Sequence, residues 1–282
     1  MSGAVRVAYQ GERGAFSEVA CGKLLGEEAQ TIPFRSFEEM FEAVADGEAD
    51  CCVTPIENSL AGSIHRNYDL LLASEMVIFG ETNLRIVHNL IAAPGTPLAA
   101  IERVYSHPVA LAQCGHFLRA HPQMEGITMH DTAGAVRVIM DRREPAEAAI
   151  ASEAAARLYG GEILATNIED DPQNYTRFFL LAPQGKPIEP IVEAGSSRWK
   201  TSLLIQIANK PASLFHALGV LARAEIDLSK IESRPIPGKP WEYAFYIDII
   251  GNVADAPVAH ALQQLREVCD VMTMLGCYPT NS

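Results

Sequence analysis

Short apolar blocks alternate with helical patterns along the first two thirds of the chain. Residues 5–9 form a brief apolar run that ends in the turn Gly11-Glu12-Arg13-Gly14, and a helix opens near Ser17. Residues 31–34 and 50–53 read as further strands. Between them, Ser36-Phe37-Glu38-Glu39 is a capping-box signature, with Ser and Glu three residues apart. Phe37, Met40, Phe41, Val44 and Ala45 then recur at helical spacing until Gly47 stops the run. A second series starts near residue 100, with a strand at 103–106, a helix from Pro108 to about Ala120 and a strand at 127–130. Asp131 caps the next helix, a strand follows at 148–151, and Ser152 opens another helix. Residues 176–182 form a strand placed to return to the first series. Strand and helix in alternation predict an α/β chain of two subdomains, each with a largely parallel sheet, and a cleft between them.

The pattern changes at residue 183. Pro183, Pro187, Pro190 and Gly195-Ser196-Ser197 mark a linker over 183–198. Beyond it come a strand at 200–208, a helix at 211–224 with Leu214, Leu218 and Leu221 on one face, and a strand at 228–236. The turn Pro237-Gly238-Lys239-Pro240 leads to a strand at 241–250, a helix at 255–269 and a closing strand at 271–278. The order βαββαβ is the ferredoxin-like split motif. The predicted domains are therefore 1–182, with its second subdomain at roughly 100–175, and 199–282.

Composition narrows the function. Hydrophobic residues make up 48% and charged residues 20% of 282 residues, which is ordinary for a globular chain. A net charge of −13 argues against nucleic acid or an anionic membrane as partner. The opening Met1-Ser2-Gly3-Ala4 has no signal-peptide pattern, and no apolar run is long enough to span a bilayer. The six cysteines lie in apolar runs without CxxC spacing, as free thiols do in a reducing compartment, and a cytoplasmic location is expected. An acidic chain that binds an anion must attract it locally, through helix N-termini, backbone N–H groups, hydroxyls and a few arginines.

Polar groups gather where strands end. Asn58 and Ser59 leave the third strand, and Ser106, His107 and Gln113 stand where another strand hands over to a helix. Each also has a bland reading as a turn or cap, and His107 reads as a capping or packing histidine more readily than as a general base. Asp170 and Asp171 precede Pro172 and read as a solvated turn; no His or Cys stands near them at ligand spacing, so no metal site is predicted. Asn174, Thr176 and Arg177 enter the strand that lines the cleft, where an arginine suits a carboxylate.

The segments YQGERGAFSE, PIENSLAGS, SHPVALAQC and NYTRF, in this order, resemble the hallmarks of prephenate dehydratase, and KTSLLIQIANKPASL and KIESRP resemble the ACT domain that follows it. The resemblance covers residues 5–279. It implies a catalytic region like a type II periplasmic-binding-protein fold and a regulatory domain that binds phenylalanine. The family's Thr-Arg-Phe motif falls on Thr176, Arg177 and Phe178, with Thr176 as the catalytic residue. Asn58, Ser59, Ser106, His107, Gln113 and Asn174 become substrate-binding candidates. Asn209, Pro211, Ala212, Ser213, Leu214, Glu232, Ser233, Arg234 and Pro235 become effector-binding candidates, with Ala212 where the family usually has glycine.

The implied substrate is prephenate, a dianion that loses carbon dioxide and water as its ring becomes aromatic. That reaction calls for hydrogen-bond donors and a proton source, with no cofactor. The runs GSIHRNYD and DTAGA resemble the arogenate dehydratases of the same family, whose substrate carries an ammonium in place of the keto oxygen. A non-catalytic amino-acid sensor is the rival of another class. No fused chorismate mutase is expected, and ACT domains usually pair, so a homodimer or homotetramer is expected by resemblance.

Overall fold

The computed structural model describes residues 4–191, 198–236 and 238–280. Gly195-Ser196-Ser197 of the predicted linker and Pro237 of the predicted turn lie outside the described residues. The chain divides into two compact units: Met1–Glu75 with Thr82–Pro183, and Met76–Glu81 with Gln184–Ser282.

The first unit opens with β1 (Arg6–Gln10), α1 (Phe16–Leu25), β2 (Gln30–Phe34), α2 (Phe37–Ala45) and β3 (Cys51–Asn58). The short β4 (Gly62–Ser63), α3 (His65–Ala73) and β5 (Met76–Arg85) follow. Strand β1 pairs in parallel with both β2 and β3. Gly14, in the loop before α1, has φ +85°, and a Cβ there would lie 2.8 Å from the backbone of Ala155, so only glycine fits. The capping box is present in modified form: the Ser36 hydroxyl accepts from the Glu39 N–H, while the Glu39 carboxylate takes the N–H of Arg35.

The second subdomain contains β6 (Asn89–Ala92), β7 (Arg103–Ser106), α4 (Pro108–Gln113), α5 (Gly115–Ala120), β8 (Glu125–Thr128) and α6 (Thr132–Arg142). It ends with β9 (Glu147–Ala151), α7 (Glu153–Tyr159) and β10 (Glu162–Ala165). Its sheet has the order β10-β6-β9-β7-β8 and starts at Asn89, before the expected boundary near residue 100. The predicted helix from Pro108 to Ala120 is two helices, because Cys114 leaves helical geometry at φ −115° and ψ 26°. Asp131 and Ser152 cap α6 and α7 through the N–H groups of Gly134 and Ala155. The core of this subdomain includes Leu90, Ile101, Val104 and Ile150. Strand β11 (Tyr175–Pro183) then returns to pair antiparallel with β3, and Pro183 ends this strand rather than opening a linker.

The second unit has the order β12 (Arg198–Gln206), α8 (Ser213–Arg223), β13 (Leu228–Pro235), β14 (Tyr243–Ile250), α9 (Ala256–Val268) and β15 (Val271–Thr280), the expected βαββαβ. The strands run β13-β14-β12-β15, all antiparallel, and both helices pack Ala217, Leu221, Ala261 and Leu265 into one core with Leu203, Ile205 and Ile247. Helix α8 begins at Ser213, two residues later than the pattern predicts. Ala212 stands in the left-handed region at φ 68° and ψ 0°, so the helix cannot include it. The segment Met76–Glu81 also belongs to this unit. Glu81 is 5% and Lys200 6% exposed, and their side chains form an ion pair at 2.5 Å.

Candidate active site

The cleft of the first unit holds about 600 Å³. Helix starts supply much of its wall: Phe16 and Ser17 of α1, Phe37 and Glu38 of α2, Thr132 of α6, and the first turn of the short α4. The N–H groups of a helix start carry a partial positive charge, so the starts of three full helices and one short one favour an anion in this cavity, against the wall carboxylates Glu38, which pairs with Arg66, and Asp131, which caps α6. Ala15, the residue before α1, supplies no side-chain cap. Arg35 is the single Lys or Arg in the wall among the described residues.

At the base of the cleft, amide side chains form a closed polar set. Asn58 Oδ1 accepts from the N–H groups of Leu60 (3.0 Å) and Ala61 (2.9 Å). Asn58 Nδ2 donates to Asn174 Oδ1 at 2.8 Å and to Thr176 Oγ1 at 3.0 Å. Asn174 Nδ2 in turn donates to Gln113 Oε1 at 3.0 Å. Asn58, Asn174 and Thr176 are buried, and burial makes unpaired amide groups costly, which favours this one arrangement.

The sequence-predicted residues separate into three groups. Asn58, His107, Gln113, Thr176 and Phe178 line the cleft. Asn174 lies behind them, fully buried, and joins Asn58 to Gln113. Ser59, Ser106 and Arg177 lie apart from the wall. The Ser59 hydroxyl donates to Gln173 O and accepts from Tyr175 N, and the Ser106 hydroxyl donates to Ile150 O at 2.6 Å. The Arg177 guanidinium lies over the Phe179 ring, 4.7 Å from its centre. Residues 177 and 179 share one side of β11 while Thr176 and Phe178 take the side toward the cleft.

His107 caps α4, its Nδ1 accepting from the Val109 N–H at 3.2 Å. Burial and then His130 hold its pKa below the ordinary 6.5, with Asp131 opposing. Asp170 accepts from the His116 N–H in the first turn of α5, and Asp171 from the Gln173 N–H within the turn before β11. Two polar wall residues carried no sequence signal: Arg35, which precedes a cap, and His88, which sits in a connection between strands.

The effector candidates form a separate group in the second unit. Asn209 Nδ2 donates to Trp241 O at 3.2 Å, which ties the loop before α8 to the loop before β14. Pro211 and Ala212 lead into α8, and Ser213 and Leu214 form its first turn. Glu232 on β13 pairs with Lys230 at 2.9 Å. Ser233, Arg234 and Pro235 continue that strand beside Phe245, Ala244 and Tyr243 of β14.

Comparison with known proteins covers nearly the whole chain. The profile of the family described as prephenate dehydratase matches residues 7–186. An arogenate dehydratase/prephenate dehydratase of Arabidopsis thaliana is 42% identical over 99% of this chain and 74% of its own length. A prephenate dehydratase from Arthrobacter aurescens, solved in complex with L-Phe, is 32% identical with a TM-score of 0.85, over 97% of this chain and 89% of that one. A protein described as GqqA, a novel type of quorum-quenching acylase, is 33% identical with a TM-score of 0.86 over 98% of both chains. With the family profile over residues 7–186 and the Arabidopsis relative over 99% of its length, the chain belongs to the prephenate dehydratase family, whose members are lyases.

Proposed function

We propose that the cleft binds prephenate and converts it to phenylpyruvate, carbon dioxide and water. The observation that carries this reading is the convergence of helix N-termini and Arg35 on a cavity whose base presents the Thr176 hydroxyl. The helix ends and Arg35 offset the repulsion that a net charge of −13 exerts on a dianion. As the ring carboxylate leaves, its C–C bonding pair moves into the ring and the C–O bond to the ring hydroxyl breaks. The departing oxygen takes one proton to become water. Thr176 Oγ1 already accepts from Asn58 Nδ2, so its own O–H is left to donate to that oxygen. The partner of this hydroxyl is an amide N–H, a donor, which suits a group that gives a hydrogen bond better than an acylating nucleophile.

Arogenate, with an ammonium in place of the keto oxygen, is the second candidate substrate, and the name of the Arabidopsis relative includes both activities. Steady-state rates on the two compounds test the reading: turnover of prephenate supports it, turnover of arogenate alone moves the substrate, and turnover of neither removes it. The second unit is an ACT domain in this reading, with L-phenylalanine as its inhibitor, supported by the Arthrobacter relative's L-Phe complex and by the loop at 209–214. Exposed Ile231 and Met274 in this unit support pairing with a second copy, as a homodimer or homotetramer. The six cysteine thiols support a reducing, cytoplasmic setting.

A further inference from the structure

We infer that His88 is a positioning residue: as the neutral Nε2–H tautomer it donates to Gln113 Oε1 and holds the amide of Gln113, a residue of the cleft wall, in the orientation that matches Asn174 and Asn58. Backbone groups admit no choice of role. The N–H groups of Leu60 and Ala61 only donate, so the Asn58 atom they meet is its oxygen. The carbonyl of Tyr175 only accepts, so the Asn58 atom 3.1 Å from it is its nitrogen. With Asn58 fixed at both ends, the Asn174 atom that faces its nitrogen is an oxygen, and Asn174 offers its own nitrogen to Gln113 Oε1. That oxygen lies 3.0 Å from His88 Nε2. Two acceptors cannot share this contact, so Nε2 carries the proton and His88 is its donor.

The rest of the environment agrees. His88 is 2% exposed, and its Nδ1 is buried with no hydrogen-bond partner among the described residues. A proton on Nδ1 would find no acceptor there, so the neutral Nε2–H form is the one the site holds. Burial also lowers the pKa of the ring. Its position is set by its own backbone: the His88 N–H donates to Glu169 Oε2 at 3.0 Å, and the ring of Phe16 meets the imidazole edge-on at 5.7 Å.

The consequence falls on Gln113. Its oxygen receives two donors, His88 and Asn174, while its nitrogen faces Asn58 Oδ1 at 3.5 Å. Without His88, one of the two interactions that favour this orientation is lost. A flipped Gln113 would turn its NH₂ against the NH₂ of Asn174, whose orientation Asn58 fixes, so loss of His88 loosens the Gln113 amide in the cleft wall.

This inference rests on the cleft being the dehydratase site, and two measurements separate the two. The first compares His88→Leu, which keeps bulk without a donor, with His88→Gln, whose amide nitrogen replaces the Nε2–H. His88→Leu is expected to lower kcat by about tenfold, the worth of roughly one hydrogen bond, with KM changed much less, and His88→Gln to restore most of the loss. Equal losses in both variants, or full activity in His88→Leu, would overturn the assignment. The second uses the unmodified protein, so folding of variants does not enter: long-range ¹H–¹⁵N NMR should show a neutral His88 ring protonated at Nε2 at pH 7.5. Protonation at Nδ1, or an imidazolium, would overturn it. If the wild type turned over neither prephenate nor arogenate, the functional reading would fall while the NMR result still decided the polarity of the chain.

Discussion

The side-chain nitrogen of Asn58 donates to the hydroxyl oxygen of Thr176 at 3.0 Å across paired strands β3 and β11, where the two residues are direct register partners. The pairing makes the hydroxyl an acceptor from the protein and a donor to whatever fills the cleft. Thr176→Ala should therefore lower kcat on the order of 10²–10³, the usual effect of removing a donor that acts in the transition state. Asn58→Asp should also be severely impaired, because a carboxylate cannot donate to Thr176 and adds negative charge at the seat of an anion. Steady-state kinetics with thermal melts of each variant decide both; near-normal kcat in Thr176→Ala would remove the residue from the mechanism.

Arg35 contributes charge at the cleft wall without a place in the amide set at its base. Arg35→Gln should raise KM for a dianionic substrate about tenfold and leave kcat nearly unchanged, the pattern of lost uniform binding. The wild-type KM should also rise with ionic strength, and the variant's should rise less. An unchanged KM would exclude Arg35 from substrate binding.

What was legible in the sequence was chiefly local. Ser36, Asp131 and Ser152 each announce a helix start within four residues, and all three cap one. Strands β5, β6 and β10 and helix α3 left no such mark in the pattern. Strand β10 pairs with β6, and β6 in turn with β9, so each is held by residues distant in sequence that meet only in space. The same distinction explains the site. Asn58, Gln113 and Thr176 belong to recognisable segments, whereas His88 acquires its role from Gln113, which lies 25 residues away. Strand alternation puts neighbours 176 and 177 on opposite sides, so of this pair only Thr176 faces the cleft.

Acid stability should depend on the cleft histidines. Burial, foremost, depresses the pKa of both His88 and His107 below 6.5, so the unfolded chain binds their protons more readily than the folded one. Their contribution to stability is therefore complete above pH 6.5 and is lost as pH falls below it toward the folded-state values. The melting temperature should fall between pH 7.5 and 5.5, and His88→Gln should make that fall shallower. An identical slope in the variant would place the acid sensitivity elsewhere.

The buried pair Lys200–Glu81 gives a test of the second unit. Lys200→Met would leave the Glu81 carboxylate, which also accepts from Thr280, without its cation in a site only 5% exposed. Breaking such a pair from one side typically costs about 3–5 kcal/mol. Denaturant unfolding should show a loss of that size, and Lys200→Met combined with Glu81→Gln should recover part of it. A loss below about 1 kcal/mol would mean that the carboxylate is protonated or reached by solvent.

Regulation by phenylalanine is best tested in the intact chain. Removing residues 199–282 would strip Met76–Glu81 of the unit it belongs to, along with the cation that pairs with Glu81, so a truncated protein would confuse lost regulation with lost folding. A single position offers a cleaner perturbation. Ala212 holds φ 68° at the start of α8, a conformation that costs an alanine roughly 1–2 kcal/mol and a glycine almost nothing. Glycine gives some of this back, because it leaves the unfolded chain freer. Ala212→Gly should thus change stability by less than about 1 kcal/mol while letting the N–H groups at the start of α8 close more readily on a carboxylate. Calorimetry on the full-length variant should show tighter phenylalanine binding than in the wild type. Inhibition should shift to lower phenylalanine in parallel, because an effector acts only through its differential affinity for two states. Unaltered binding together with inhibition that is purely competitive with prephenate would place phenylalanine in the dehydratase cleft and leave the loop at 209–214 as a connection between strand and helix.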